Sequence, residues 1–304
     1  MSATGTRALR SSMCFFSSQK PNRPPSSSQH STAYLSVKPK SVLHDHPLYT
    51  PAHQNISFQI KEKILCLELM GVDSGKALSQ NPSLHTASLD SIHSIIYFLR
   101  SKGIHQNDLP RIFGMCPTIL TSNIGTDLKP VFDFLSQDLK VPEKKFRKVI
   151  KKCPRLLVCS VRDQLKPCLF YLQRLGFTDL DALAYQDSVL LVSNVENTLI
   201  PKLKFLESVG FARDEAIDMV LRCPSLLTFS IENNYKPKLD YFVKEMDGKM
   251  EDLREFPQYF AFSLEKRIKP RHMEVVESET ELPLPVMLKS TDEEFRKLIR
   301  QLDG

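Results

Sequence analysis

The chain has 304 residues, of which 41% are hydrophobic, 20 are Pro and none is Trp. This composition supports a packed core in one long or two ordinary domains, and no apolar run approaches the roughly 20 residues that span a bilayer, so we expect no membrane segment. The formal charge of +6 belongs to the first residues, because 1–44 carry six basic and no acidic residues and the remainder is neutral overall. Any basic surface must therefore be local.

The seven cysteines argue against both a disulfide framework and a zinc site. The chain is too long for a small disulfide-stapled domain, and no two cysteines have the Cys-x₂–₄-Cys spacing of zinc ligands. Cys116, Cys153 and Cys223 each precede the proline of a repeated pattern, and we expect them to be small buried side chains. The sequence predicts no metal and no cofactor.

Residues 1–45 differ in composition from the rest. They are rich in Ser, contain four prolines, and include no acid before Asp45. Their low hydrophobicity cannot offset the entropy of ordering, so we expect disorder. A basic, Ser-rich segment without an apolar core is typical of an organelle transit peptide. The Ser and Pro content favours the chloroplast, Arg7 and Arg10 keep the mitochondrion as the alternative, and an ordinary disordered tail is the remaining interpretation.

An internal repeat organises the chain after an amphipathic helix predicted over Asn55 to Met70. The sequence Cys153-Pro154-Arg155-Leu156-Leu157, followed by Ser160 and Lys166-Pro167, recurs with the same spacing elsewhere. We call its first proline the anchor of a unit and count offsets from it. The six anchors, which number units one to six, are Pro82, Pro117, Pro154, Ser188 (in place of proline), Pro224 and Pro257. Anchors that recur every 33–37 residues, with fixed spacing inside each unit, indicate a repeat architecture.

Each unit contains the signals of a capped helix. Apolar residues at offsets +7, +11, +15 and +18 share one side of a helix, and a proline stands at +13 in every unit but the first, which has Ile95. Several helices close on glycine, at Gly103, Gly176 and Gly210, before a short helix leads to the next anchor. The N-caps predicted at +6 are Ser88, Asn123, Ser160, Asn194, Ser230 and Ser263.

Units of this size cannot bury their apolar stripe alone and must stack on one another. The proline at +13 removes one helical hydrogen bond and should bend every helix alike, which would curve the array. We therefore predict an all-α fold, a right-handed α-solenoid of about six repeats that forms a crescent with a concave groove. The predicted domains are the transit peptide 1–45, the repeat domain 46–275, and an acidic linker with a C-terminal helix over 276–304, where Ser290 or Thr291 caps a helix from Asp292 to Leu302.

One known family shares these motifs. Pro154-Arg155-Leu156-Leu157, Ser160, the run from Lys166-Pro167 to Leu172, and Leu175-Gly176-Phe177 together resemble the repeat of the mitochondrial transcription termination factor (mTERF) family. The resemblance covers roughly residues 55–275. It implies a superhelix with two α-helices and a short 3₁₀ helix per unit, and an organellar protein that binds nucleic acid in organelle gene expression, from transcription termination to intron splicing.

One window is basic enough to bind phosphates without reference to any family. Within 140–155, Glu143 is the single acid among eight cations, and Phe146, Val149 and Ile150 supply the apolar side of a helix, so the cations should crowd its exposed side. Neutralisation of phosphates by such a side gives salt-dependent binding that does not read sequence, although an ordinary solvated helix face is the alternative. The eight residues are Lys140, Lys144, Lys145, Arg147, Lys148, Lys151, Lys152 and Arg155.

A second basic pattern is periodic. Lys129, Lys166, Lys236 and Lys269 all stand at offset +12, roughly 100° around the helix from the buried stripe, and stacking would align them in a row suited to a phosphate backbone. The +14 cations of units four to six lie nearer the buried edge and are not assigned to this row: Lys202, Lys238 and Arg271.

The sequence favours a non-enzymatic factor that regulates organelle transcription or RNA processing. Its expected partners are double-stranded DNA or RNA of the organelle, together with organellar transcription or splicing proteins, and we expect a monomer without membrane association. The alternative is a solenoid that binds proteins, which the neutral charge beyond residue 44 favours. An enzyme is disfavoured, because the chain has no Gly-rich phosphate loop and no His-Glu-x-x-His motif.

Overall fold

The structure is a computed structural model that describes residues 58–302, and the predicted transit peptide lies outside them. Within this range the chain forms sixteen α-helices and no strand, which confirms the all-α solenoid of helical repeats. The helices that follow the +6 caps are α3 (Leu89–Ser101), α5 (Lys129–Gln137), α7 (Lys166–Arg174), α10 (Ile200–Ser208), α12 (Lys236–Lys244) and α14 (Lys269–Glu277). We call these the long helices.

A second set of helices precedes the anchors, and we call these the short helices. They are α2 (Ser74–Gln80), α4 (Leu109–Met115), α6 (Phe146–Lys152), α8 (Leu180–Tyr185), α11 (Arg213–Arg222) and α13 (Met250–Glu255). The helix α1 (Phe58–Leu69) comes before them, and 3₁₀ turns at Gln106–Asp108 and Glu143–Lys145 lead into α4 and α6.

The anchors begin tight turns, as the sequence predicts. Five of them start a 3₁₀ helix, in which proline at the first position needs no N–H partner. Unit four has serine there and forms a short α-helix instead, α9 (Ser188–Leu191). The 3₁₀ helices are Pro82–His85, Pro117–Thr121, Pro154–Val158, Pro224–Thr228 and Pro257–Ala261.

The proline at +13 widens the turn before it into a π-helix. In unit three the N–H of Leu165 donates to the Ser160 carbonyl at 3.0 Å, five residues back rather than four. This wider turn accommodates a proline that has no N–H and whose ring would clash with an α-helical carbonyl. Unit one, which has Ile95 there, forms an uninterrupted α-helix. The π turns are Ile124–Leu128, Val161–Leu165, Val195–Leu199, Ile231–Tyr235 and Leu264–Ile268.

All six predicted N-caps are confirmed, because each side-chain oxygen accepts a hydrogen bond from a backbone N–H in the following turn. The accepting side chains are Ser88, Asn123, Ser160, Asn194, Ser230 and Ser263. The apolar stripe is also buried as expected: in α7 and its π turn, Leu165 and Leu172 are fully buried and Leu169 is nearly so.

The units stack in sequence order through both sets of helices. The short helix α6 packs on α8, α11 packs on α13, and the anchor turns of adjacent units meet. Long side chains also reach from one unit to the anchor turn of the next. Lys238 Nζ of unit five donates to the Phe260 carbonyl in the anchor turn of unit six at 2.6 Å. Beyond the last anchor turn, Arg271 Nη1 of unit six donates to the Met287 carbonyl at 2.6 Å. Buried Lys63 does the same before unit one, since its Nζ lies 3.0 Å from the Leu84 carbonyl oxygen.

The C-terminal segment is more structured than the predicted acidic linker. Helix α14 continues to Glu277, and a further helix, α15 (Leu284–Lys289), buries Met287 and Leu288 against the last unit. The last helix, α16 (Asp292–Leu302), has the predicted bounds, and Thr291 is its cap. The sequence predicted no helix over 284–289, where the buried side chains of Met287 and Leu288 anchor a short helix directly after an acidic, proline-containing stretch.

Candidate nucleic-acid interface

The basic window occupies the outer side of the short helix of unit two and the turns around it. Helix α6 buries Phe146, Val149 and Ile150 in the core, which directs its remaining side chains outward. All eight predicted cations are exposed: Lys140, Lys144, Lys145, Arg147, Lys148, Lys151, Lys152 and Arg155. They differ in what they contact.

Two of these cations share one carboxylate. Arg147 Nε lies 2.6 Å from Oδ2 of Asp108, and Lys151 Nζ lies 3.3 Å from its Oδ1. Asp108 is only 5% exposed and belongs to the turn that opens α4, in the preceding unit. The hydrogen bond from Arg147 is the main reason that the pKa of this carboxyl is lowered, against the opposing effect of burial. Arg147 and Lys151 therefore join adjacent units.

Lys152 also makes a contact between units. Its Nζ donates to the carbonyls of Tyr185 at 2.9 Å and Gln186 at 2.6 Å, at the C-terminal end of α8. The equivalent residue of a later unit, Arg222, donates to the carbonyl of Glu255 at 2.9 Å, at the end of α13. Because unpaired carbonyls end every helix, a cation at this place satisfies them and holds consecutive short helices together.

The other five cations have no carboxylate within ion-pair distance among residues 58–302, and we call them the basic surface: Lys140, Lys144, Lys145, Lys148 and Arg155. Lys145 and Lys148 lie over the ring of Tyr185, with Nζ 5.3 Å and 5.0 Å from its centroid. A cation–π contact holds the two side chains in place and leaves their charge available to an anion.

The lysines at +12 are less available than their spacing indicates. All four start a long helix, but three lie next to a carboxylate: Lys166 Nζ is 3.3 Å from Asp138, and Lys236 and Lys269 are 2.7 Å and 2.6 Å from acids one turn earlier in their own helices. Lys129 is exposed and has no such partner in the part of the chain that the structure describes. A carboxylate beside three of the four lysines reduces their attraction for phosphate, so the +12 row has weaker support than the basic surface.

Charge is distributed unevenly along the stack. Residues 129–174 contain twelve basic and four acidic residues, whereas residues 179–255 contain nine basic and fifteen acidic residues. The short helices follow this division, since α6 carries the basic window and α8, α11 and α13 present acids such as Asp181, Asp214 and Glu251. The boundary falls in unit three, between Arg174 and Asp179.

The described residues offer little for catalysis or metal binding. No group of three or more His, Cys, Asp or Glu side chains among them is placed to hold a metal ion. Burial raises the pKa of Cys116 and Cys153, as expected for inert packing thiols. Cys66 Sγ lies 3.6 Å from His93 Nε2, but burial raises the pKa of this thiol too, which disfavours the reactive thiolate. No helix between residues 58 and 302 is long and apolar enough to cross a bilayer.

The family model named mTERF matches residues 35–185 and again residues 183–296, which together include most of the chain. The chain belongs to the mTERF family. Chloroplastic transcription termination factor MTERF2 of Arabidopsis thaliana is 35% identical over 43% of this chain and 21% of its own length. Chloroplastic MTERF8 is 23% identical over 74% of this chain and 45% of its own, and mitochondrial MTERF15 is 25% identical over 65% and 43%, both from the same plant. This chain thus matches less than half the length of each of these relatives.

Sequence reasoning did not identify Asp108 or Tyr185, the residues whose contacts distinguish the cations of the basic window from one another. The signal for Asp108 was its place nine residues before an anchor, where unit four has Glu215, whose Oε1 lies 2.7 Å from Arg254 Nη1 of the next unit. Ion pairs between residues 39 positions apart form only when the units stack. A helical wheel of α6 alone therefore cannot predict them.

Proposed function

We propose that this mTERF protein is a non-enzymatic, nucleic-acid-binding factor of plastid gene expression. The observation that carries the proposal is the basic surface, a group of five exposed cations without carboxylate partners in the described chain. Arrayed cations of this kind attract the phosphate backbone and release its counterions, so binding should be salt-dependent. The names of the relatives support a role in transcription termination or a neighbouring step, and the chloroplastic relatives support the plastid.

Electrophoretic shift of plastid DNA and RNA fragments by the full chain, across a salt series, tests the proposal. The wild-type protein should bind with a dissociation constant that rises with salt. Replacing Lys140, Lys144, Lys145, Lys148 and Arg155 with Ala should lower the slope of log K against log salt by up to about 0.9 per lost phosphate contact on a duplex. No salt-dependent binding by the wild-type chain would remove the proposal.

A matched control uses lysines that already have carboxylate partners. Lys236→Ala and Lys269→Ala remove exposed cations of the +12 row and should change affinity much less than two substitutions in the basic surface. An equal loss would instead support the row as part of the interface. Import of a fluorescent fusion of residues 1–60 tests the location, and diffuse cytosolic fluorescence would contradict plastid targeting.

A protein-binding solenoid is the second candidate, and the excess of acids over residues 179–255 favours it. A basic protein partner would bind this acidic part of the stack, and its capture from an organelle extract should survive nuclease treatment. Capture that disappears with nuclease would favour direct nucleic-acid binding.

A further inference from the structure

Phe170 is an aromatic side chain on the outward side of α7. It is 62% exposed and stands at offset +16, on the opposite side of the helix from buried Leu165 and Leu172. Phe58 and Tyr97 are also strongly exposed, but they belong to α1 and α3, at the N-terminal end of the described stack. Phe170 lies in the middle of the stack, so its exposure is not an effect of position at an end.

Two cations flank this ring at helical spacing. Lys166 precedes Phe170 by four residues and Arg174 follows it by four, so the three side chains share one side of α7. The guanidinium carbon of Arg174 lies 5.9 Å from the ring centroid. Lys166 forms an ion pair with Asp138, whereas Arg174 has no carboxylate within ion-pair distance in the described chain. An exposed ring therefore lies between two cations, within the basic part of the stack.

No other long helix in the described chain has this arrangement at the same offsets. In α3 the ring at +16 is Phe98, which is half-buried and packs edge-on against Phe132 with centroids 5.6 Å apart. Helices α5 and α12 have Asp at +16, and α10 has Lys204. Helix α14 has Lys269 and Met273 at the first two places but Glu277 at the third. The combination is thus particular to unit three and does not follow from the repeat.

An exposed ring with cations on either side suits an unpaired nucleobase. Base faces stack on aromatic side chains, while adjacent phosphates meet the cations, and this chemistry tolerates any base. A duplex hides its base faces in the helical stack and cannot use the ring. We propose that Phe170, Lys166 and Arg174 form a stacking site for an unpaired base, so that the preferred ligand is single-stranded RNA or DNA. This inference rests on the proposed nucleic-acid-binding function.

Fluorescence anisotropy with the full chain tests the site, using a labelled single-stranded U₂₀ oligonucleotide and a duplex of equal length. Phe170→Ala should weaken single-strand binding about 5- to 100-fold, the loss that removal of one stacked aromatic causes. Duplex binding should change by less than about twofold, because phosphate contacts remain. Phe170→Tyr should retain single-strand affinity, and an abasic strand should bind equally to wild type and Phe170→Ala.

Met273→Ala is the matched control, because Met273 is a 57% exposed apolar side chain at the same offset in α14. It should leave both affinities unchanged. Since Phe170 is exposed, Phe170→Ala should keep the wild-type melting temperature, which excludes misfolding as the cause. Unchanged single-strand binding by Phe170→Ala, or an equal loss on the duplex, would overturn the inference. If wild type binds and only the basic-surface variant fails, the proposed function stands and the stacking site does not.

Discussion

Arg147 and Asp108 are 39 positions apart in the chain and are joined by a hydrogen bond of 2.6 Å between Nε and Oδ2. The bond links the short helix of one unit to the turn before the short helix of the preceding unit. Asp108 also reduces the positive charge of the basic window, because its carboxylate pairs with Arg147 and lies 3.3 Å from Lys151 Nζ. Stability and the proposed nucleic-acid binding therefore make opposing demands on Asp108.

Asp108→Asn should lower stability and raise affinity. Losing the buried carboxylate weakens a charge-assisted contact with a half-exposed arginine, and we expect a loss of roughly 1 kcal/mol in the free energy of unfolding at pH 7. Because the pKa of Asp108 is lowered by folding, its stabilisation is present above its unfolded value of about 4 and is lost as pH falls through the folded value. Freed Arg147 and Lys151 should steepen the salt dependence of binding. Urea titration and anisotropy measure the two effects.

Glu232→Gln is the control for this change, because Glu232 pairs with Lys236 at the start of α12 and not with the basic window. It should raise affinity less than Asp108→Asn does. A comparable rise would indicate that the +12 row contacts the ligand, and weaker binding by Asp108→Asn would contradict the prediction.

The acids of the later short helices should limit how far nucleic acid extends along the stack. Asp181, Asp214 and Glu251 are exposed and have no cation within ion-pair distance in the described chain. Neutralising them together, as D181N/D214N/E251Q, should raise affinity roughly two- to tenfold at low salt, with the difference disappearing at high salt. The control E196Q/E245Q/E293Q changes net charge equally at sites off the short helices. An equal rise in the control would mean that net charge alone matters.

Ser188→Ala should stabilise the protein. The hydroxyl of Ser188 is completely buried and has no hydrogen-bond partner among residues 58–302, and the same holds for the Tyr185 hydroxyl three residues earlier. Removing an unsatisfied buried hydroxyl should raise the free energy of unfolding by about 1 kcal/mol, and Tyr185→Phe should act in the same direction. Chemical denaturation measures both. Ser193→Ala is the control, because the Ser193 hydroxyl donates to the Val189 carbonyl and its loss should give no stabilisation.

Lys238 should make stability rise with pH in the alkaline range. Burial lowers the pKa of this lysine from 10.5 to about 8, so between roughly pH 8 and 10.5 the unfolded chain binds a proton that the folded chain has released. The free energy of unfolding therefore increases with pH across this window because of Lys238. Lys238→Met should remove that increase, and exposed Lys236→Met should retain it. Melting temperatures from pH 7.5 to 10 provide the comparison, and identical profiles for wild type and Lys238→Met would refute the assignment.

The repeat was predictable because the residues that shape each unit act within that unit. A cap such as Ser160 and a proline such as Pro167 act on their own helix, so their spacing is enough to place them. A bend was expected at Pro167, and the structure has a π turn just before it, whereas α3, with Ile95 at the same offset, has no π turn. For the site, the sequence predicted only that basic residues are concentrated in one window, and not which of them are paired. Which cations stay unpaired depends on partners such as Asp108 and Tyr185, which come from neighbouring units and meet α6 only after stacking.

The unsatisfied hydroxyls belong to Tyr185, in the short helix of unit three, and to Ser188, the anchor of unit four, and they lie close to where the basic part of the stack meets the acidic part. In a linear array each unit is held by its two neighbours, so the least satisfied junction opens first. Under mechanical load or mild denaturant, we expect the solenoid to part between units three and four into two blocks of opposite charge. A ligand that contacted both blocks would hold them together at this junction.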